Sequence, residues 1–122
     1  MNIHIPYGKA ELTLTLPPER VAAVLESKAH GYQAEAGEAE LVRRAMAAPV
    51  GTPKLQELAR GKKNIVIIVS DHTRPVPTQV IAPLLLEEIQ KGSPQAQVTF
   101  LVATGLHRGT TEEELREKFG PD

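Results

Sequence analysis

The sequence predicts an α/β fold with a Rossmann-like, parallel strand, helix, strand core that follows an amino-terminal β-hairpin. Two apolar runs, Asn64 to Ser70 and Gln97 to Ala103, have the length and composition of strands. A helix-length segment separates them, and such a unit is almost always a right-handed crossover with both strands parallel in one sheet. Each run ends in a polar cluster, so both clusters are expected at the carboxyl edge of the sheet, where open α/β sheets bind ligands.

Length and composition narrow the class of protein. The chain has 122 residues, of which 41% are hydrophobic, and this suits one domain with its own core. Fourteen basic and fifteen acidic residues give a net charge of -1 without long blocks of one sign, so neither nucleic acid nor a membrane surface is expected as a partner. Cysteine is absent, and the sequence shows neither a signal peptide nor an apolar run of membrane-spanning length. A cytoplasmic location is therefore expected.

Residues 1–18 have the pattern of a β-hairpin. Apolar residues alternate with polar ones on both sides of a turn at residues 7–9. Pro17 and Pro18 end the second strand, because proline cannot donate to the strand ladder.

Residues 19–62 are predicted to form a mainly helical connection. Residues 21–25 fit a short helix or a strand equally well, and residues 28–40 are typical of a solvated connection that becomes helical near its end. Apolar residues then recur at helical spacing up to a proline: Leu41, Val42, Ala45, Met46 and Pro49. Thr52 and Pro53 predict the start of another helix, with Leu55 and Leu58 buried and Gly61 at its end.

Residues 63–120 are predicted to form the strand, helix, strand, helix core. The first strand does not alternate in polarity, so we expect it to be central and covered on both faces. The crossover helix has one apolar stripe, and Pro83 within it predicts a late start or a kink. Capping boxes starting at Thr110 and at Thr111 are both compatible with the last helix. A sheet of two parallel strands covered on both faces needs further strands. We expect these to come from the hairpin, from another chain or from the remainder of a longer protein.

The first polar cluster, Asp71-His72-Thr73-Arg74, follows the first strand. Asp71, His72 and Thr73 each have an ordinary structural interpretation as turn, surface or capping residues. Arg74 precedes a proline, and its planar guanidinium suits a carboxylate or phosphate, although a salt bridge to Asp71 or to a neighbouring acid is the alternative. The cluster is therefore better suited to side-chain contacts with an anion than to a backbone phosphate cradle.

The second cluster, Thr104-Gly105-Leu106-His107-Arg108, follows the second strand. Gly105 permits a positive φ or a close approach to a ligand. His107 lies on a short loop where an imidazole can transfer protons near neutral pH, and Arg108 beside it favours the neutral, proton-accepting form. His107 is therefore the candidate acid–base residue.

In their order and separation, the two clusters resemble the amino-terminal domain of the lactate racemase family that uses a nickel-pincer nucleotide. The resemblance runs from about Ile65 to Gly120. It implies that Asp71, His72, Thr73 and Arg74 bind the cofactor and that His107 is one of two proton donors and acceptors. It also implies a mechanism in which a histidine takes the hydroxyl proton of a 2-hydroxy acid while hydride leaves Cα for the pyridinium ring of the cofactor. Return of hydride to the opposite face of the keto acid inverts the centre.

Members of that family are considerably longer. Their remaining portion holds the lysine that tethers the cofactor, the histidine that ligates nickel and the second catalytic histidine, so no metal ligand is assigned in this sequence. The resemblance thus implies that residues 1–122 are an incomplete amino-terminal domain of a two-domain racemase or epimerase, without the carboxy-terminal domain and inactive alone.

Two other hypotheses stay open. The chain is alternatively a phosphate- or nucleotide-binding module without catalysis, in which Thr73, Arg74 and Thr104 hold an anion. The second hypothesis is a purely structural domain, in which the two polar clusters are simple turns.

Overall fold

A computed structural model describes residues 1–121 and has the predicted α/β class, with an antiparallel hairpin followed by a parallel pair of strands. The elements in chain order are β1 (Asn2–Tyr7), β2 (Ala10–Thr15), two short 3-10 helices (Pro18–Arg20 and Lys28–Gly31), α1 (Glu38–Ala47), α2 (Leu55–Ala59), β3 (Asn64–Ser70), α3 (Thr78–Gly92), β4 (Gln97–Ala103) and α4 (Glu112–Phe119). They form two compact units, Met1–Ala34 and a second that begins at Glu35.

The first unit contains the predicted hairpin. Its register runs from Asn2 opposite Thr15 to Tyr7 opposite Ala10, and Gly8 makes the turn with a φ of 61°. Within the described residues, β1 and β2 pair only with each other, so the hairpin does not extend the parallel sheet. Residues 21–25 form neither a helix nor a strand, and both alternatives expected there are wrong.

The second unit is built on β3 and β4, whose bounds are the predicted ones. They are parallel, and Ser70 lies opposite Ala103, so the two strands end level. On one face Phe100 packs against Phe119 of α4, with ring centroids 5.0 Å apart. On the other face Val66 is 59% exposed and Ile68 is 70% exposed. The expectation of a central strand covered on both faces is therefore wrong within residues 1–121, because no described element packs on that second face.

Helix α3 is the crossover between the two strands. Ala82, Leu84 and Ile89 are buried, as the predicted stripe requires. The helix begins at Thr78, ahead of Pro83, so a late start is excluded. None of the helices within residues 1–121 has the length and apolarity needed to cross a membrane.

The sequence predicted the start of α4 and not that of α2. Helix α2 begins at Leu55 after an N-cap at Lys54, whereas the hydroxyl of Thr52 donates to the Pro53 carbonyl, so the expected Thr52 cap is wrong. Leu58 is 47% exposed rather than buried, because this short helix buries Ala59 instead. Helix α4 has the second of the two predicted capping boxes, formed by Thr111 and Glu114.

Candidate functional site

The two polar clusters meet at the carboxyl edge of the parallel sheet. Because β3 and β4 end level, the loops that follow them border one cavity of about 510 Å³. Asp71 and Arg74 reach it from the first loop and His107 from the second. The rest of the lining is Ser70, Ala103, Thr104, Gly105 and Leu106. The guanidinium-bearing residue and the candidate acid–base residue thus line the same cavity.

Asp71 is the buried centre of this site, with a relative exposure of 2%. Its Oδ1 accepts hydrogen bonds from the Thr73 backbone N–H at 3.1 Å and from the Thr73 hydroxyl at 2.6 Å. Its Oδ2 lies 2.5 Å from Nδ1 of His107. The Thr73 hydroxyl and then His107 hold the pKa of the Asp71 carboxyl well below its usual range, so this carboxylate stays ionised.

His107 is carried by the short loop after β4. Its backbone N–H donates to the Thr104 carbonyl at 3.0 Å, and Gly105 between them has a φ of 58°, a left-handed conformation that favours glycine. The side chain of His107 is 48% exposed. Among the described residues its ring is bonded through Nδ1 alone, which leaves Nε2 for a ligand in the cavity.

Arg74 is an exposed cation at the border of two cavities. It lines the site cavity and also a smaller one of about 180 Å³. The expected alternative of an Arg74–Asp71 salt bridge is not formed, because Thr73 and His107 occupy the two oxygens of Asp71. Among the described residues no carboxylate lies within ion-pair distance of Arg74. Its planar fork is therefore available to an anionic ligand.

His72 lies on the smaller cavity and not on the one that His107 lines. The smaller cavity is lined by His72, Arg74, Val76, Glu114, Glu117 and Lys118. Nδ1 of His72 is buried, makes no hydrogen bond, and lies 3.6 Å from Oε2 of Glu114. In the first cluster, therefore, Asp71 lines the site cavity, His72 lines the smaller cavity, and Arg74 lines both.

Arg108 does not reach the site cavity. Its guanidinium donates to both carboxylate oxygens of Glu114, at 2.9 Å and 2.5 Å, and this pair lowers the pKa of Glu114 to about 2. The Arg108 fork is therefore committed to helix α4. The sequence predicted that Arg74 and Arg108 would both lie near His107, but only Arg74 lines the same cavity.

Lys118 is a site residue that the sequence did not indicate. Its Nζ donates to the Ser70 hydroxyl at 3.3 Å and to the Asp71 carbonyl at 3.4 Å, and so it ties α4 to the end of β3. These contacts join residues 47 and 48 positions apart, and no local spacing in the sequence indicates them. Within residues 1–121, no group of three His, Cys, Asp or Glu side chains is arranged to hold a metal ion.

Comparison with known proteins gives one consistent result. Residues 7–122 match the family model described as the lactate racemase N-terminal domain. The chain is 55% identical over 121 residues to the lactate racemase of Thermoanaerobacterium thermosaccharolyticum and 48% identical over 120 residues to that of Lactiplantibacillus plantarum. These alignments cover 99% and 98% of this chain. The chain spans 28% of the length of either relative.

A solved structure has the same fold. The lactate racemase apoprotein from Thermoanaerobacterium thermosaccharolyticum superposes with a TM-score of 0.85 at 53% sequence identity. The superposition covers 100% of this chain and 28% of that one.

Proposed function

The chain belongs to the lactate racemase N-terminal domain family, and from this premise we propose that it forms the cofactor-binding and acid–base half of a 2-hydroxy acid racemase. One observation supports this most strongly: Arg74 and His107, far apart in sequence, line the same cavity at the ends of two parallel strands. Residues 1–122 are proposed to be the amino-terminal α/β domain of a cytoplasmic two-domain protein, and to be inactive without the carboxy-terminal domain.

The first cluster suits the anionic part of a nickel-pincer nucleotide. Arg74 offers a guanidinium without a carboxylate partner among the described residues, and such a fork binds phosphate or carboxylate in two places. The Thr73 hydroxyl donates to Asp71 at 2.6 Å, and Thr73 lines neither cavity, so its contribution is to hold the turn together with Asp71. His72 contributes from the smaller cavity. Asp71, His72, Thr73 and Arg74 are thus the proposed cofactor-binding residues, and no residue of this chain is assigned to nickel.

His107 is the proposed acid–base residue. When bound, the nickel-pincer nucleotide supplies the hydride acceptor for the substrate carbon. His107 takes the hydroxyl proton of one enantiomer of the 2-hydroxy acid and returns a proton to the same oxygen when the reaction runs in reverse. Its exposed ring edge borders the cavity, where a small substrate can approach it. A second group, outside this chain, serves the opposite face of the planar keto acid.

The test separates anchoring from proton transfer in the full-length protein. Arg74→Ala should weaken cofactor binding by roughly 10- to 150-fold, since a hydrogen bond to a charged group contributes about 1.5–3 kcal/mol. His107→Ala should keep the cofactor and lose about 10²- to 10⁴-fold in the rate of lactate racemisation, the usual contribution of a general acid–base group. Arg60→Ala, at an exposed position of the same unit, is the matched control for Arg74.

Each arm can fail separately. Unchanged cofactor affinity in Arg74→Ala would reject the anchoring role. Undiminished racemisation by His107→Ala, together with weakened cofactor binding in Arg74→Ala, would favour the alternative that this chain is a phosphate- or nucleotide-binding module that supplies no catalytic residue.

A further inference from the structure

We propose that Asp71 is a positioning residue that fixes His107 as the tautomer with its proton on Nδ1, so that Nε2 faces the cavity as the proton acceptor. The consequence for catalysis rests on the proposed racemase function. The tautomer itself does not, because it follows from contacts within this chain.

The contact between the two side chains dictates the direction of the hydrogen bond. Oδ2 of Asp71 lies 2.5 Å from Nδ1 of His107. An ionised carboxylate accepts hydrogen bonds and cannot donate them, so the proton between these atoms belongs to Nδ1. A neutral imidazole carries one proton, and Nε2 is then the lone-pair nitrogen.

Asp71 is the fixed member of the pair. Its side chain is 3% exposed, against 48% for His107. The two Thr73 donors on Oδ1 stop the carboxylate from turning, and Lys118 donates to the Asp71 backbone carbonyl. The half-exposed imidazole therefore takes its orientation from the carboxylate, and not the reverse.

The same two Thr73 donors determine how the side chain of Asp71→Asn is oriented, and so which nitrogen of His107 carries the proton. In Asp71→Asn, the amide oxygen is the group that can accept both Thr73 hydrogen bonds, which directs the NH₂ group toward Nδ1 of His107. Nδ1 must then accept a hydrogen bond, and the ring proton moves to Nε2. The variant keeps the shape of the turn and presents the wrong tautomer to the cavity.

The test is ¹⁵N NMR of the full-length, cofactor-free protein labelled at histidine, at a pH well above the ordinary histidine pKa. His107 is identified by the signals that disappear in His107→Gln. We expect a proton on Nδ1 in the wild type and on Nε2 in Asp71→Asn. Glu112→Gln, which removes a carboxylate whose side chain is 91% exposed, should leave the His107 signals unchanged.

A wild-type His107 with its proton on Nε2 would overturn the proposal, and this outcome does not require Asp71→Asn to fold. An Asp71→Asn spectrum that retains the Nδ1 proton would overturn it as well.

A kinetic measurement connects the tautomer to catalysis. In the cofactor-loaded protein, Asp71→Asn should lower kcat for racemisation on the order of 10²- to 10⁴-fold, as loss of the orienting carboxylate does in Ser-His-Asp enzymes. Because Asp71 is itself a proposed cofactor-binding residue, cofactor content is measured for each protein and kcat is expressed per bound cofactor, which separates a loss of catalysis from a loss of binding. A racemase test that fails while the tautomer behaves as expected would reject the proposed function and leave the positioning role of Asp71 intact.

Discussion

Gly92 of α3 lies against the backbone of α2, and we expect its replacement by alanine to reduce stability measurably. A Cβ added to Gly92 would lie 2.0 Å from the Gln56 carbonyl oxygen and 3.1 Å from the Ala59 Cβ. Nonbonded heavy atoms prefer about 3.5–4.0 Å, so Gly92→Ala has to separate the helices by more than about 1 Å. The obstacle is backbone, and no side-chain rotation can relieve it.

The magnitude follows from two opposing contributions. Overpacking costs about 1–3 kcal/mol. Replacing glycine by alanine in a helix gains at most about 1 kcal/mol, and less at the last residue of α3. The net expectation is a destabilisation of about 1–2 kcal/mol, which corresponds to a roughly 5- to 30-fold change in a local opening equilibrium.

Hydrogen exchange of the α2 and α3 backbone amides in the full-length protein measures that equilibrium. The control is Gly109→Ala, in the same unit, where an added Cβ meets no atom within 4 Å. Exchange in Gly92→Ala that is no faster than in Gly109→Ala would refute the inference of a tight helix contact.

Three further predictions concern α3 and α4. Arg108 and then the Thr111 backbone N–H lower the pKa of Glu114 to about 2, so the ionised carboxylate stabilises the fold above the ordinary glutamate pKa and loses this contribution as the pH falls through about 2. The thermal midpoints of the wild type and Glu114→Gln should therefore converge as the pH falls over that interval. Thr111→Ala removes the α4 N-cap and should cost about 1 kcal/mol in urea unfolding, with Thr111→Ser close to wild type. Ile89→Ala, at a position 1% exposed, should cost about 2–5 kcal/mol in the same assay.

Local signals in the sequence predicted most of the elements. The strands β3 and β4 were bounded correctly, because an apolar run flanked by polar residues is a local signal. The sequence allowed a capping box at Thr110 or at Thr111, and in the structure Thr111 and Glu114 form it, with Glu114 also paired to Arg108. The expected cap at Thr52 was wrong because the helix starts later than the Thr-Pro pair indicates.

The site was predictable as a location and only partly as a set of contacts. The crossover rule brings the loops after β3 and β4 to one edge, and this placed Arg74 and His107 on one cavity. The Asp71–His107 contact and the Lys118 anchor depend on where side chains point after folding, which spacing along the sequence does not contain. Arg108 is a second case, since its guanidinium pairs with Glu114, six residues further along the chain, and does not line the cavity.

A single-turnover measurement with each enantiomer tests the central claim most directly. Cofactor-loaded, full-length His107→Gln is mixed separately with D-lactate and L-lactate, and the keto acid formed is quantified. If His107 serves one face of the substrate, one enantiomer is oxidised at close to the wild-type rate and the other about 10²- to 10⁴-fold more slowly. Oxidation of both enantiomers at the wild-type rate would contradict the assignment of His107 as the acid–base residue of this site.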